Sequence, residues 1–123
     1  MSRAFAFALL LALGACAGRL SQPQNFVVFF PTNDATLTPQ AHTLVTQIAS
    51  ARHDMNPSRV VVEGRADGGT PHDAELADQR ARAVIQALVE AGVDPAAIAK
   101  EQGAPPVGDT GVAAHQVVVR FLP

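Results

Sequence analysis

Asp67 and Arg80 are the residues of this chain whose types and placement most plainly allow chemistry. Residues 74–91 can be laid on a helix at about 100° per residue. Leu76, Arg80, Ala83, Val84, Ala87 and Ala91 then share one stripe, with Arg80 near its centre. Such a stripe faces a core, where a guanidinium is costly unless an anionic or polar group meets it. The nearest upstream carboxylate is Asp67, at the end of the strand-like run Val60-Val61-Val62-Glu63-Gly64-Arg65-Ala66-Asp67. A carboxylate and an arginine at the edge of a core form either an internal ion pair or a site for a zwitterionic ligand. The residues by themselves leave both open.

Nothing else in the chain competes with that pair. Arg65 reads as a solvated strand-end residue or an extra cation near the pocket. Asp73 reads as a helix N-cap, with Glu75 well placed in the first turn. The four histidines (His42, His53, His72, His115) lie on separate segments without metal-ligand spacing, so neither a metal nor a cofactor is expected. There is no G-x-S-x-G, H-E-x-x-H or phosphate-binding loop, and Gly68-Gly69 is too little for one. Thr70 and His72 flank the loop after Asp67, but such neighbours are common in loops. The chain reads as a binding protein rather than an enzyme.

The elements that must position Asp67 and Arg80 follow from pattern and punctuation. Phe26-Val27-Val28-Phe29-Phe30 is an apolar, β-prone run stopped by Pro31, read as a buried strand. Residues 31–36 are rich in turn formers. Thr38 followed by Pro39 is a helix N-cap with proline at the first position. Ala41, Leu44, Val45, Ile48 and Ala49 then recur at helical spacing, and the helix ends before Pro57. Residues 60–63 form a second strand, and the Arg80 helix closes at Gly92. Asp94-Pro95-Ala96-Ala97 is a capped turn, residues 98–102 a short edge strand, residues 103–111 a loop, and residues 116–121 a last strand. The order β-α-β-α-β-β predicts an α+β sandwich, two helices packed on one mixed sheet. Its βαβ units permit parallel neighbours, and the short final connection favours an antiparallel last strand.

The N-terminus reads as an address rather than as fold. Arg3 precedes an uncharged apolar run over residues 4–13, of signal-peptide length and too short to cross a bilayer. The run ends in Leu13-Gly14-Ala15-Cys16, which resembles a lipoprotein cleavage site. Cys16 is the single cysteine, so lipidation accounts for a thiol that has no disulfide partner within the chain. The expected division is a signal peptide over 1–15, a lipidated N-terminus and short tether over 16–25, and one domain over 26–123. Ala17 after the cysteine favours, by resemblance to enterobacterial sorting, the periplasmic face of the outer membrane. A net charge of −2 without long charged blocks gives nucleic-acid binding little support.

Taken together, these segments resemble the OmpA-like C-terminal domain, the family that includes peptidoglycan-associated lipoprotein. Val28-Phe29-Phe30 followed by Ala35-Thr36-Leu37-Thr38-Pro39 is similar to its opening. Val61-Val62-Glu63-Gly64-Arg65-Ala66-Asp67-Gly68-Gly69 is similar to its V-x-G-H-(T/A)-D-x-x-G. Leu76-Ala77-Asp78-Gln79-Arg80-Ala81-Arg82-Ala83-Val84 is similar to its L-S-x-x-R-A-x-x-V, and Leu88, Gly92-Val93, Ile98 and Gly103 follow in family order. The resemblance implies non-covalent binding of peptidoglycan through the diaminopimelate of its stem peptide, with Asp67 and Arg80 as the contacts. A guanidinium fork suits a carboxylate and an aspartate suits an ammonium. With a lipid on Cys16, the chain would tie peptidoglycan to the outer membrane, alongside possible envelope protein partners.

The sequence also departs from the pattern. The family histidine is Arg65 here and the following threonine is Ala66. Asp73 replaces an asparagine and Ala77 a serine. The thirteen-residue interval from Asp67 to Arg80 is shorter than usual in the family. The late N-R-R-V element is reduced to His115-Gln116-Val117, and Pro31 stands where many relatives carry an aspartate. These changes motivate an alternative, an OmpA-like protein-interaction module that no longer binds peptidoglycan.

Overall fold

The computed structural model describes residues 20–66, 70–103 and 115–123. Residues 1–19, which include the expected signal peptide and Cys16, Asp67 with Gly68-Gly69, and residues 104–114 lie outside the described residues. The described elements are strands β1 (Gln24–Phe29), β2 (Arg59–Arg65), β3 (Ile98–Gly103) and β4 (Gln116–Leu122), with helices α1 (Pro39–Met55) and α2 (Pro71–Glu90). A single 3-10 turn, Pro95–Ala97, joins α2 to β3. Both helices pack on one four-stranded mixed sheet, as the pattern predicts.

The sheet order is β1-β4-β2-β3. Strand β4 runs antiparallel to both β1 and β2, while β2 and β3 are parallel. Two elements that the sequence pattern allows as parallel neighbours, β1 and β2, are thus separated by β4. The reason is composition. Val117, Val118 and Val119 are all buried, so β4 is apolar on both faces and suits the interior of the sheet. Strand β1 takes the edge instead. Phe26 and Val28 face the helices and Phe30, just past the strand, is buried, whereas Phe29 on the opposite face is 51% exposed.

Local chemistry sets the helix ends. Thr38 caps α1 by accepting from the Ala41 N–H at 3.1 Å, and Asn56 ends it in a left-handed conformation with φ 46°. The cap of helix α2 lies three residues before the expected Asp73. Thr70 is its cap, accepting from the Asp73 N–H at 3.2 Å and donating its hydroxyl to the Asp73 carboxylate at 2.5 Å. At the far end Gly92 sits at φ +102°, its N–H bonded to Val89 O and the Val93 N–H to Leu88 O. That pairing is a Schellman termination, which a residue with a Cβ enters only under strain.

The core lies between the layers. It joins Val45 and Ile48 of α1 and Val84 and Leu88 of α2 to Val28, Val60, Val62, Val117, Val119 and Phe121 of the sheet. Each such side chain contributes about 1.5–3 kcal/mol when fully buried. The buried face of α2 is Ala77, Arg80, Ala81, Val84, Ala87 and Leu88. It is rotated from the expected stripe, leaving Leu76 and Ala83 half-buried and Ala91 exposed. The rotation brings two alanines against β2, where a Cβ on Gly64 would lie 2.3 Å from Ala77 O and 3.3 Å from Ala81 Cβ.

Gly64 is therefore what lets α2 approach the sheet. Gly64→Ala is expected to push the helix outward and cost roughly 1–3 kcal/mol. Chemical denaturation measures this, and unchanged stability would contradict the close approach.

Candidate functional site

Strand register gives the domain two distinct ends. The ends of β1 at Phe29, β2 at Arg65 and β3 at Gly103 and the start of β4 at Gln116 lie together. The connection over residues 30–38 leaves this end for α1, and α2 starts from it at Thr70. The opposite end carries Gln24, Arg59 and Leu122, and there Leu20 shares a cleft with Asn56, Pro57, Ser58 and Pro123.

The connection from β1 to α1 is ordered by its own polar groups. The Phe30 N–H donates to His115 O at 2.8 Å, tying the loop to the start of β4. Asp34 N–H donates to Pro31 O at 3.3 Å across a tight turn, with Asn33 left-handed at φ 53°. The Asp34 carboxylate accepts from the Thr36 N–H at 2.8 Å, an Asx-type turn that carries the chain towards the Thr38 cap. That backbone hydrogen bond, followed by one from the Thr36 hydroxyl, holds the Asp34 carboxyl below the usual carboxylate range, with a smaller contribution from the charge of Arg80.

Arg80 enters this loop from α2. It is 2% exposed, the buried charged side chain among the described residues. Its Nε donates to Asp34 O at 2.8 Å and its Nη2 to Pro31 O at 2.9 Å. Its guanidinium carbon lies 5.7 Å from the centroid of the Phe30 ring, within cation–π range. One side chain thus meets two carbonyls and an aromatic face of the same loop. The fork geometry of arginine permits this, and a lysine ammonium could not copy it.

Arg80 reaches two partners that the sequence does not indicate, carbonyl oxygens 46 and 49 residues upstream, while Asp67, its expected companion, lies outside the described residues. Pro31, which replaces an expected aspartate, contributes through its backbone. Arg65 is a partly exposed strand-end residue and does not lie beside Arg80. It sits on the helix-free face of the sheet, with its Nε 3.4 Å from the Glu63 carboxylate. Arg120 joins that cluster, with its Nη2 3.4 Å from Glu63 and 2.9 Å from Glu101. Thr70 is committed to capping α2, and His72 is exposed. On the helix-facing side, Asp78 accepts from Lys100 of β3 and, at 2.6 Å, from Arg82. These bonds, Lys100 first, lower the Asp78 pKa and clamp α2 to β3.

Among the described residues no group of three or more histidine, cysteine or acidic side chains could hold a metal, and no helix is long and apolar enough to cross a membrane. What the arrangement offers is a fixed positive charge beneath an ordered loop, at the end of the sheet where β2 and α2 are joined.

Two helices on a mixed sheet, with a buried arginine bracing the loop after the first strand, define a small two-layer α+β domain. The profile of the OmpA family matches residues 29–116, and the chain belongs to that family. No curated protein matched it. Several solved structures share the fold. The OmpA-like domain of FopA1 from Francisella tularensis superposes with a TM-score of 0.71 at 20% identity, over 82% of this chain and 73% of that one. The peptidoglycan-associated lipoprotein of Burkholderia pseudomallei gives 0.62 at 22% identity, covering 78% and 87%. The cell wall anchor of the T6SS from Pseudomonas aeruginosa gives 0.67 at 18% identity, covering 81% of each chain.

Replacing Arg80 should loosen the loop. Arg80→Leu leaves Pro31 O and Asp34 O without their charged donor and is expected to cost about 1.5–3 kcal/mol, read by thermal or denaturant unfolding. An equal or raised stability would show that the two bonds contribute nothing.

Acid should act on the same loop. A carboxyl with a depressed folded pKa contributes stability that is present above its unfolded value and lost as pH falls through the folded value. Asp34 and Asp78 both start from 3.8 and are both lowered, so stability should fall below about pH 3.8. Unfolding curves taken between pH 6 and pH 2 test this, and Asp34→Asn should flatten part of the slope.

Proposed function

We propose that this chain is a cell-envelope lipoprotein that binds peptidoglycan non-covalently and ties it to the outer membrane. The ligand is the diaminopimelate of the stem peptide, with Asp67 and Arg80 as the contacts and a lipid on Cys16 as the anchor. The observation that carries the reading is the placement of Arg80. A full positive charge is held in a low-dielectric setting beneath the 30–38 loop, where it acts strongly on a nearby carboxylate. Family membership supports the ligand class, as do two structural neighbours, one a peptidoglycan-associated lipoprotein and one a cell wall anchor.

In this reading Arg80 has two tasks, to fix the loop and to supply the charge that draws the ligand carboxylate. Asp67 supplies the counter-charge for the ligand ammonium. No step of bond making or breaking is involved, and the domain works by recognition. Orientation supports the tether. The chain enters beside Leu20, at the end opposite the 30–38 loop, and strands of six or seven residues separate the ends by about 20 Å. A membrane anchor at Cys16 would leave the binding end facing away from the bilayer.

A second reading is favoured by one observation, the near-complete burial of Arg80. An arginine bonded to two carbonyls of its own chain can serve as an internal strut, and the domain would then be a protein-interaction module without peptidoglycan affinity.

Co-sedimentation of the detergent-solubilised full chain with isolated sacculi separates the two. Wild type should pellet with sacculi, and excess free diaminopimelate should release it while lysine, with one carboxylate fewer, should not. Asp67→Ala should abolish pelleting without lowering the melting temperature. Wild type that stays in solution, or an Asp67→Ala variant that pellets equally well, would favour the interaction module. The anchor is tested on the same material, since Cys16→Ser should abolish incorporation of labelled fatty acid, and a wild type that incorporates none would contradict lipidation.

A further inference from the structure

A second polar cleft lies at the opposite end of the helical layer from Arg80. It has a volume of about 390 Å³ and is lined by Thr46, Ala49, Ser50, Arg52, His53 and the turn Ala91–Gly92–Val93. Its cations come from the last turn of α1, where Arg52 and His53 offset the negative end of the helix dipole. No carboxylate lines it. Asp54 and Glu90 neighbour it in sequence, and Glu90 accepts from Gln86, while the Asp94 carboxylate accepts from the Ala96 N–H at 2.9 Å.

Arg52 is the unusual member. Its Nε is buried, and among the described residues that nitrogen has no hydrogen-bond partner. Arg65 and Arg120 also bury an Nε in this way, but both sit against the carboxylates of Glu63 and Glu101. Arg52 makes no side-chain hydrogen bond or ion pair with any described residue. A buried guanidinium nitrogen without an acceptor is costly, and native proteins rarely leave such a donor unmet. Ser50 and His53 line the same cleft, and their hydroxyl and ring N–H are donors of the kind that suit a tetrahedral oxyanion.

We propose that this cleft binds a phosphate group, with Arg52 as the main contact and Ser50 and His53 as further members of its lining. Its place in the fold indicates the source. Both helices run from the Arg80 end to this one, so the cleft opens at the end where the chain enters beside Leu20. If Cys16 is lipidated, as proposed above, that end faces the bilayer and the phosphate is that of an anionic lipid headgroup. The cleft would then orient the domain, holding the Arg80 loop away from the membrane. The phosphate site itself stands on Arg52 and does not depend on peptidoglycan binding.

The test uses the full chain, isotopically labelled and purified in neutral maltoside micelles. Backbone amide shifts are followed during addition of inorganic phosphate in one arm and of phosphatidylglycerol to the micelles in the other. Saturable shifts at His53, Gly92 and Val93 are expected with phosphatidylglycerol at concentrations at least ten-fold below those needed for inorganic phosphate. Arg52→Ala should remove them, leave the amides of residues 30–38 in place and retain whatever sacculus binding wild type shows. Arg59→Ala, which removes an exposed cation at the same end, should retain the shifts. Comparable shifts in both arms would keep the phosphate site but overturn the lipid assignment. No saturable shift in either arm, or equal shifts in Arg52→Ala, would overturn the site. Loss of sacculus binding with these shifts intact would count against the peptidoglycan reading alone.

Discussion

The structure depends on one buried cation. Arg80 leaves α2 and donates to Pro31 O and Asp34 O with the Phe30 ring against it, so a helix, a loop and the end of a strand are joined through a single side chain. Burying a guanidinium is expensive, and two carbonyl partners with an aromatic face offset part of that cost. The consequence is a loop whose shape is tied to the position of α2. Anything that moves the helix on the sheet, such as a side chain at Gly64, should be felt in the 30–38 connection.

That coupling explains the division of labour between the two ends of the domain. The end with Arg80 has the ordered loop, the helix starts capped by Thr38 and Thr70, and the junction between β2 and α2. The other end has the Schellman turn at Gly92, the entry of the chain beside Leu20, and Arg52. Between them stands an apolar core built largely of valine, with β4 at its centre. A rigid sheet of this kind holds the two ends apart. The tether proposed above needs that separation if it is to engage a membrane at one end and a polymer at the other.

Much of this was legible in the residues. The α+β order, Thr38-Pro39 as a helix start, Gly92 as a stop and the capped turn at Asp94 are local signals and appear in the structure where the pattern places them. The start of α2 departs from the pattern because Thr70-Pro71, which repeats the grammar of Thr38-Pro39, caps the helix ahead of the cap-like Asp73. The buried stripe is rotated from the one centred on Leu76 and Arg80 because close contact with Gly64 selects the small Ala77 and Ala81. The placement of Arg80 in a core was readable from its spacing. Its carbonyl partners were not, since backbone acceptors leave no mark in a sequence and lie nearly fifty residues away. Likewise the outward direction of Arg65 depends on strand register, which only the pairing of β2 with β4 fixes.

Hydrogen exchange at the Arg80 side chain tests the central claim most directly. In the full chain in neutral micelles, the Nε–H of Arg80 should exchange slowly with solvent, as a buried donor bonded to Asp34 O must, and diaminopimelate should shift its resonance together with the amides of residues 30–38. Exchange as fast as that of the exposed Arg59, with no response to diaminopimelate, would contradict both the bracing role of Arg80 and its place in a binding site.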